Sequence, residues 1–120
     1  MKSNELEERL IDFAVQIIEL MNEIPKSKAG KHLSGQLLRS GTSPALNYGE
    51  AQSAESMKDF IHKLQLVLKE LRESFVNLRI LYKAKLYKNK STLIFVLKEN
   101  NELIAIMVRS IQTSQKNLRS

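Results

Sequence analysis

The stretch Leu37–Ser56, LLRSGTSPALNYGEAQSAES, decides how the rest of the chain is read. On either side of it the sequence is plain amphipathic helix. Within it the apolar stripe thins, hydroxylic and small residues replace it, and Pro44 stands where a helix should continue. Two readings compete. One helix ends near Gly41 and another starts with Ser43 as N-cap and Pro44 at its first position. Alternatively, a single helix over about 28–53 is bent at Pro44, with Ser40, Thr42 or Ser43 hydroxyls helping to satisfy the freed carbonyl. The bent single helix is preferred, because Leu33, Leu37, Ser40, Pro44, Asn47 and Ala51 stay on one 3.6-residue face.

Outward from this stretch the periodicity is simpler. Leu6, Leu10, Phe13, Ala14, Ile17, Met21 and Ile24 recur at helical spacing, which predicts a first helix over about 4–24. Ser3 or Asn4 is the expected cap, and Pro25 the stop. After Ser53, Glu55 and Ser56, with Asp59 as a capping-box acid, a third helix is expected over about 57–86. Its stripe is Phe60, Ile61, Leu64, Val67, Leu68, Leu71, Phe75, Leu78 and Tyr82. The YKNKS turn follows, with Ser91 as N-cap, and then a fourth helix over about 92–118. There Leu93, Val96, Leu97, Ile104, Met107, Ile111 and Leu118 form the stripe. Four helices joined by short turns predict an all-α, antiparallel up-down-up-down four-helix bundle, built as one domain over 1–120.

Composition supports this and narrows the chemistry. With four glycines and two prolines in 120 residues there are few turns, and Val, Thr and aromatic residues are too sparse for a sheet. No cysteine is present, which excludes disulfides, thiolate metal sites and cysteine nucleophiles. No Glu-x-x-His pair occurs, and His32 and His62 fall on separate helices, so no metal is expected. The serines and threonines lack a nucleophile elbow, and the glycines lack phosphate-loop spacing. The expectation is therefore a chain that is not an enzyme, with no cofactor and no small-molecule substrate. The acidic N-terminus is not of signal-peptide type, and no apolar run reaches the ~20 residues of a membrane span. A soluble, cytoplasmic protein is expected, with no membrane partner.

Charge is unevenly placed. The overall net charge is +6, but residues 1–25 carry −4, residues 26–49 carry +4 and residues 81–120 carry +6. Lys83, Lys85, Lys88 and Lys90, with Tyr82 and Tyr87, cluster after the third helix. In an antiparallel bundle the turns after helices one and three share an end, so Lys26, Lys28 and Lys31 should join them. Such an end suits phosphate contacts with RNA or DNA, and tyrosines can stack on unpaired bases. The blander reading is a solubilising surface. A second feature is an apolar excess, Ile11, Val15 and Ile18 on helix one and Phe95, Leu103 and Ile106 on helix four. Exposed apolar surface of that extent predicts a homo-oligomer.

The segments QLLRSGTSPALNYGEAQSAES and DFIHKLQLVLKELRES resemble a known family, the four-helix-bundle proteins encoded in intervening sequences of bacterial large-subunit ribosomal RNA genes. The matching positions are Arg39, Ser40, Ser43, Asn47, Glu50, Ser53, Ser56, Phe60, Leu64, Glu70 and Glu73. More distantly, the chain is similar to the accessory bundle proteins of diversity-generating retroelements, which bind nucleic acid and a reverse transcriptase. The resemblance implies the bundle fold, assembly as a ring-like homopentamer, and no settled biochemical activity. Pro44 stands where an isoleucine or valine is usual, and Tyr48–Gly49 replaces a more hydrophobic small-residue pair.

Within the matched segment Arg39, Ser40, Ser43, Asn47 and Glu50 are expected to form a polar belt. Asn47 and Glu50 would satisfy each other, Arg39 and backbone groups near the bend, which fixes the register of the bundle. A ligand or RNA contact at that belt is the sharper alternative. Two functional readings follow. One is a non-enzymatic oligomer associated with ribosomal RNA intervening sequences that binds structured RNA or DNA. The other is a protein-interaction scaffold without nucleic-acid binding.

Overall fold

The computed structural model describes residues 1–119, and these form four helices. They are α1 (Ser3–Met21), α2 (Lys28–Ala51), α3 (Met57–Lys83) and α4 (Lys90–Arg119). Each helix packs on its neighbour in the chain, α4 returns to α1, and the diagonal pairs do not meet. The result is a four-helix bundle of 50 × 21 × 20 Å. Its long axis matches the ~45 Å expected of thirty residues at 1.5 Å each.

The core is built from heptad-like steps of three and four residues. On α1 it takes Leu6, Leu10, Phe13, Ile17 and Leu20, with Ile24 following in the turn. On α4 it takes Leu93, Val96, Asn100, Leu103, Met107, Ile111 and Ser114. This spacing suits helices crossing at about 20°. Polar residues within the stripe form hydrogen bonds between helices in three places. Ser74 donates to Ser40 (2.9 Å), Asn77 Nδ2 to the Leu33 carbonyl (3.0 Å), and Asn100 Nδ2 to the Leu71 carbonyl (3.1 Å). Because Ser74 and Asn100 interrupt the apolar pattern, periodicity read from apolar residues slides out of phase after each. Thus Leu81, not Tyr82, is the core residue at the end of α3, and Leu118 is exposed at the end of α4.

α2 runs unbroken through Pro44, so the split-helix reading is overturned. Thr42 and Ser43 do turn their hydroxyls back onto the helix, but onto the Leu38 and Arg39 carbonyls (both 2.6 Å). The carbonyl that Pro44 leaves without a donor is that of Ser40, one residue further on, and Ser40's own hydroxyl is engaged with Ser74. Gly41 is not punctuation either. A Cβ there would lie 2.7 Å from the Ile17 side chain, so glycine lets α1 approach α2 closely.

Capping explains the remaining boundaries. Ser56 accepts from the Asp59 amide (3.0 Å), and the Asp59 carboxylate accepts from the Glu55 amide (3.4 Å), one residue before the cap amide that a capping box would use. Ser27 caps α2 through the Gly30 amide (3.1 Å). α4 starts earlier than expected because Asn89, not Ser91, is its cap, accepting from the Ser91 amide (3.0 Å) and hydroxyl (2.7 Å). α1 has no side-chain cap; Ser3 instead donates to Gln52 (2.8 Å). It also ends at Met21, three residues before Ile24, because Glu23 and Ile24 already form tight-turn bonds.

Candidate nucleic-acid interface

Two turns build one end of the bundle. The Lys88 amide donates to the Glu23 carbonyl (3.0 Å), which ties the turn after α3 to the turn after α1. Lys26, Lys28 and Lys31 are thereby held at the same end as Lys83, Lys85, Lys88 and Lys90, and all seven are exposed. The N-termini of α2 and α4 open at this end too. Neither has an acid in its first turn, so each helix adds its positive dipole end to the lysines.

The backbone here is specific. α3 closes with Leu86 donating to Leu81 (2.9 Å) and Lys85 to Tyr82 (3.2 Å), the two bonds of a Schellman motif. The motif needs a left-handed residue after the cap, and that residue is Lys85 (φ 57°), not glycine. Gly30 is needed for a different reason. A Cβ built on it would overlap the Pro25 carbonyl oxygen, so only glycine lets the first turn of α2 fold back against the preceding loop.

The tyrosines do not stand free. Tyr82 and Tyr87 stack with ring centroids 6.4 Å apart, and the Lys90 ammonium lies 5.5 Å from the Tyr82 centroid. Tyr87 also packs against the core. The pair thus positions Lys90 by a cation–π contact, a role the sequence reading missed. Glu23, whose carbonyl holds the Lys88 amide, is half-buried, and its Oε1 is enclosed without a partner among the described residues.

The expected polar belt is rearranged. Arg39 does not turn to Asn47 or Glu50 but crosses to α3, pairing with Glu70 (2.7 Å) and Glu73. Glu50 pairs with Lys63 on α3 at 3.3 Å. Ser43 bonds only within α2, Asn47 makes no side-chain hydrogen bond among the described residues, and only Ser40 is buried. Arg39, Ser40 and Glu50 therefore bridge α2 to α3, and Ser43 and Asn47 do not. The reason is geometric: four residues along a helix stack on one face, and that face is turned to α3, whose Glu70, Glu73 and Lys63 supply full opposite charges.

The apolar excess also divides. Ile11, Val15, Ile18 and Phe95 are exposed, Phe95 at 61%. Leu103 is wholly buried and belongs to the core, which the phase slip at Asn100 hid; Ile106 is half-buried against it. Between α1 and α4, Arg9 holds Glu99 through two hydrogen bonds (2.7 and 2.8 Å) and reaches Glu102 at 3.3 Å. The Glu99 hydrogen bond raises the Arg9 pKa above its ordinary value, with burial opposing.

Among the described residues no group of His, Cys, Asp and Glu could hold a metal ion. No helix among them is long and apolar enough to cross a membrane. The geometry defines an all-α, antiparallel four-helix bundle with a lysine-rich end. The chain belongs to the family of 23S rRNA-intervening sequence proteins, whose pattern matches residues 2–109. It is similar to a protein of unknown function from the S23 ribosomal protein family of Bacteroides thetaiotaomicron, solved by crystallography. The two are 30% identical, with a TM-score of 0.80 over 88% of this chain and 97% of the other. A search among curated proteins gives no match.

Proposed function

We propose that this chain is a non-enzymatic, cytoplasmic bundle that binds structured RNA through its lysine-rich end. The observation that carries the reading is the Lys88–Glu23 backbone bond, which gathers seven lysines from two turns onto one surface. Two helix N-termini and a tyrosine-held Lys90 add to the positive field. Membership in a family named for ribosomal RNA intervening sequences supports RNA as the polyanion.

The test is binding of the purified chain to an RNA hairpin at increasing salt. Four phosphate contacts would cost on the order of 100-fold in affinity between 50 and 200 mM salt. Neutralising Lys83, Lys85, Lys88 and Lys90 together to Gln should abolish the salt-sensitive binding. No binding at low salt would sink the proposal and leave the scaffold reading.

Self-association is part of the same proposal. Ile11, Val15 and Ile18 form an exposed i, i+4, i+7 stripe on α1, and Phe95 adds a large exposed ring on α4. Light scattering should show a closed oligomer, with a pentamer the size the family resemblance implies. A monomer at micromolar concentration would refute this part, and Ile18→Glu with Phe95→Glu should reduce the assembly.

A further inference from the structure

At the end opposite the lysines the bundle opens into a cleft of about 810 Å³. All four helices line it, so it reaches the interior rather than following one groove. Its apolar wall includes Leu6 of α1, Phe60 and Leu64 of α3 and Ile106 of α4. Ligand sites in bundles commonly lie between helices and have volumes of roughly 300–1,000 Å³.

Two polar side chains in this wall are more than nine-tenths buried and lack partners. Tyr48, 4% exposed, and Ser114, 8% exposed, both line the cleft. Neither hydroxyl forms a hydrogen bond with any described residue, and neither oxygen is among those sealed from solvent. Both residues are otherwise enclosed, so the solvent-reached hydroxyls open into the cleft they line, where a ligand can replace water as their partner. Arg109 adds a charge. Arg9, also in the wall, is already held by Glu99 and Glu102, whereas Arg109 has no carboxylate partner among the described residues. The wall is part apolar and part polar, and its one carboxylate, Glu102, is held by Arg9 at 3.3 Å, which leaves the Arg109 guanidinium and the two hydroxyls to meet an occupant. A guanidinium binds a carboxylate through two parallel hydrogen bonds.

We infer that this cleft is a binding site for a small carboxylate with an apolar body, its acid group on Arg109 and its body against Leu6, Phe60 and Leu64. The site is independent of the lysine-rich end. The probe is decanoate, titrated below its micelle-forming concentration into the full chain and followed by amide chemical shifts. Saturable shifts should centre on Tyr48 and Ser114 and persist in Lys85→Gln. Decyltrimethylammonium, the matching cation, should bind at least ~10-fold more weakly, and Arg109→Gln, on the exposed face of α4, should cost decanoate about 10-fold. Ser114→Leu, which fills the cleft, should abolish binding; Arg109→Gln keeps the test sound if that variant is unstable. Absence of saturation would overturn the site. So would equal binding of anion and cation, or concentration-dependent protection of Tyr48 without decanoate binding, which would mean that a second copy covers the cleft.

Discussion

The two ends of this bundle are built on opposite terms. At the lysine-rich end two turns cross the bundle, and the Lys88–Glu23 bond joins them. At the far end one turn crosses, between α2 and α3, and α1 and α4 are joined by no turn at all. Side chains tie them instead: Arg9 of α1 holds Glu99 and Glu102 of α4, while Ser3 ties the start of α1 to Gln52 at the end of α2. Where the chain crosses twice the structure is closed and presents charge outward. Where it crosses once the helices part and a cleft reaches the core. Connectivity thus accompanies the contrast between a charged polyanion-binding candidate at one end and an open ligand-binding candidate at the other.

Mutations can break this contrast, and stability measured by urea at one protein concentration reads the result. The largest effect is expected at the closed end. Gly30→Ala drives a methyl into the Pro25 carbonyl and should cost about 3 kcal/mol, because backbone rather than a flexible side chain must move. An unchanged midpoint would show that the α1–α2 turn is slack. Next is Arg9→Met, which leaves Glu99, half-buried, without its partner. It should cost about 2 kcal/mol, between the values for exposed and buried pairs. Hydrogen exchange should quicken in α1 and in the stretch of α4 around Glu99 and Glu102 but not in the lysine-rich turns. Uniform quickening would contradict the contrast.

Lys85→Gly should act in the opposite direction. It relieves a left-handed residue with a side chain, and stabilisation of about 1 kcal/mol is expected. Because it removes a lysine from the proposed RNA surface, RNA affinity should fall while stability rises. A loss of both would place Lys85 in the fold alone. The smallest effect belongs to Gln52→Ala, which cuts the exposed Ser3–Gln52 bond. A change within about 0.5 kcal/mol is expected at such a surface site. A larger one would make that bond a principal tie of the open end.

Much of the architecture was legible beforehand. Ser56 capping the third helix and the lysines converging after alternate turns both follow from local chemistry and helix alternation, whereas α1 ends at Met21 in turn bonds rather than against Pro25. Within the core stripe the differences share one cause. Buried Ser74 and Asn100 look like surface residues in a linear chain, so the stripe was rebuilt around them and Leu103 and Tyr82 exchanged roles. In the candidate site the lysines were visible, but the function of Tyr82 in holding Lys90 was not, since a ring–ammonium contact depends on the path of the turn between them.

Helix number, order and approximate ends were set by periodicity and capping, which act within a few residues and are written in the chain. The partners of Arg39 and Arg9, the closeness that Gly41 permits, and the cleft that leaves Tyr48 and Ser114 unpaired came from packing. Such features depend on how distant faces rotate and separate, and a polar residue carries no local mark of the neighbour that will satisfy it.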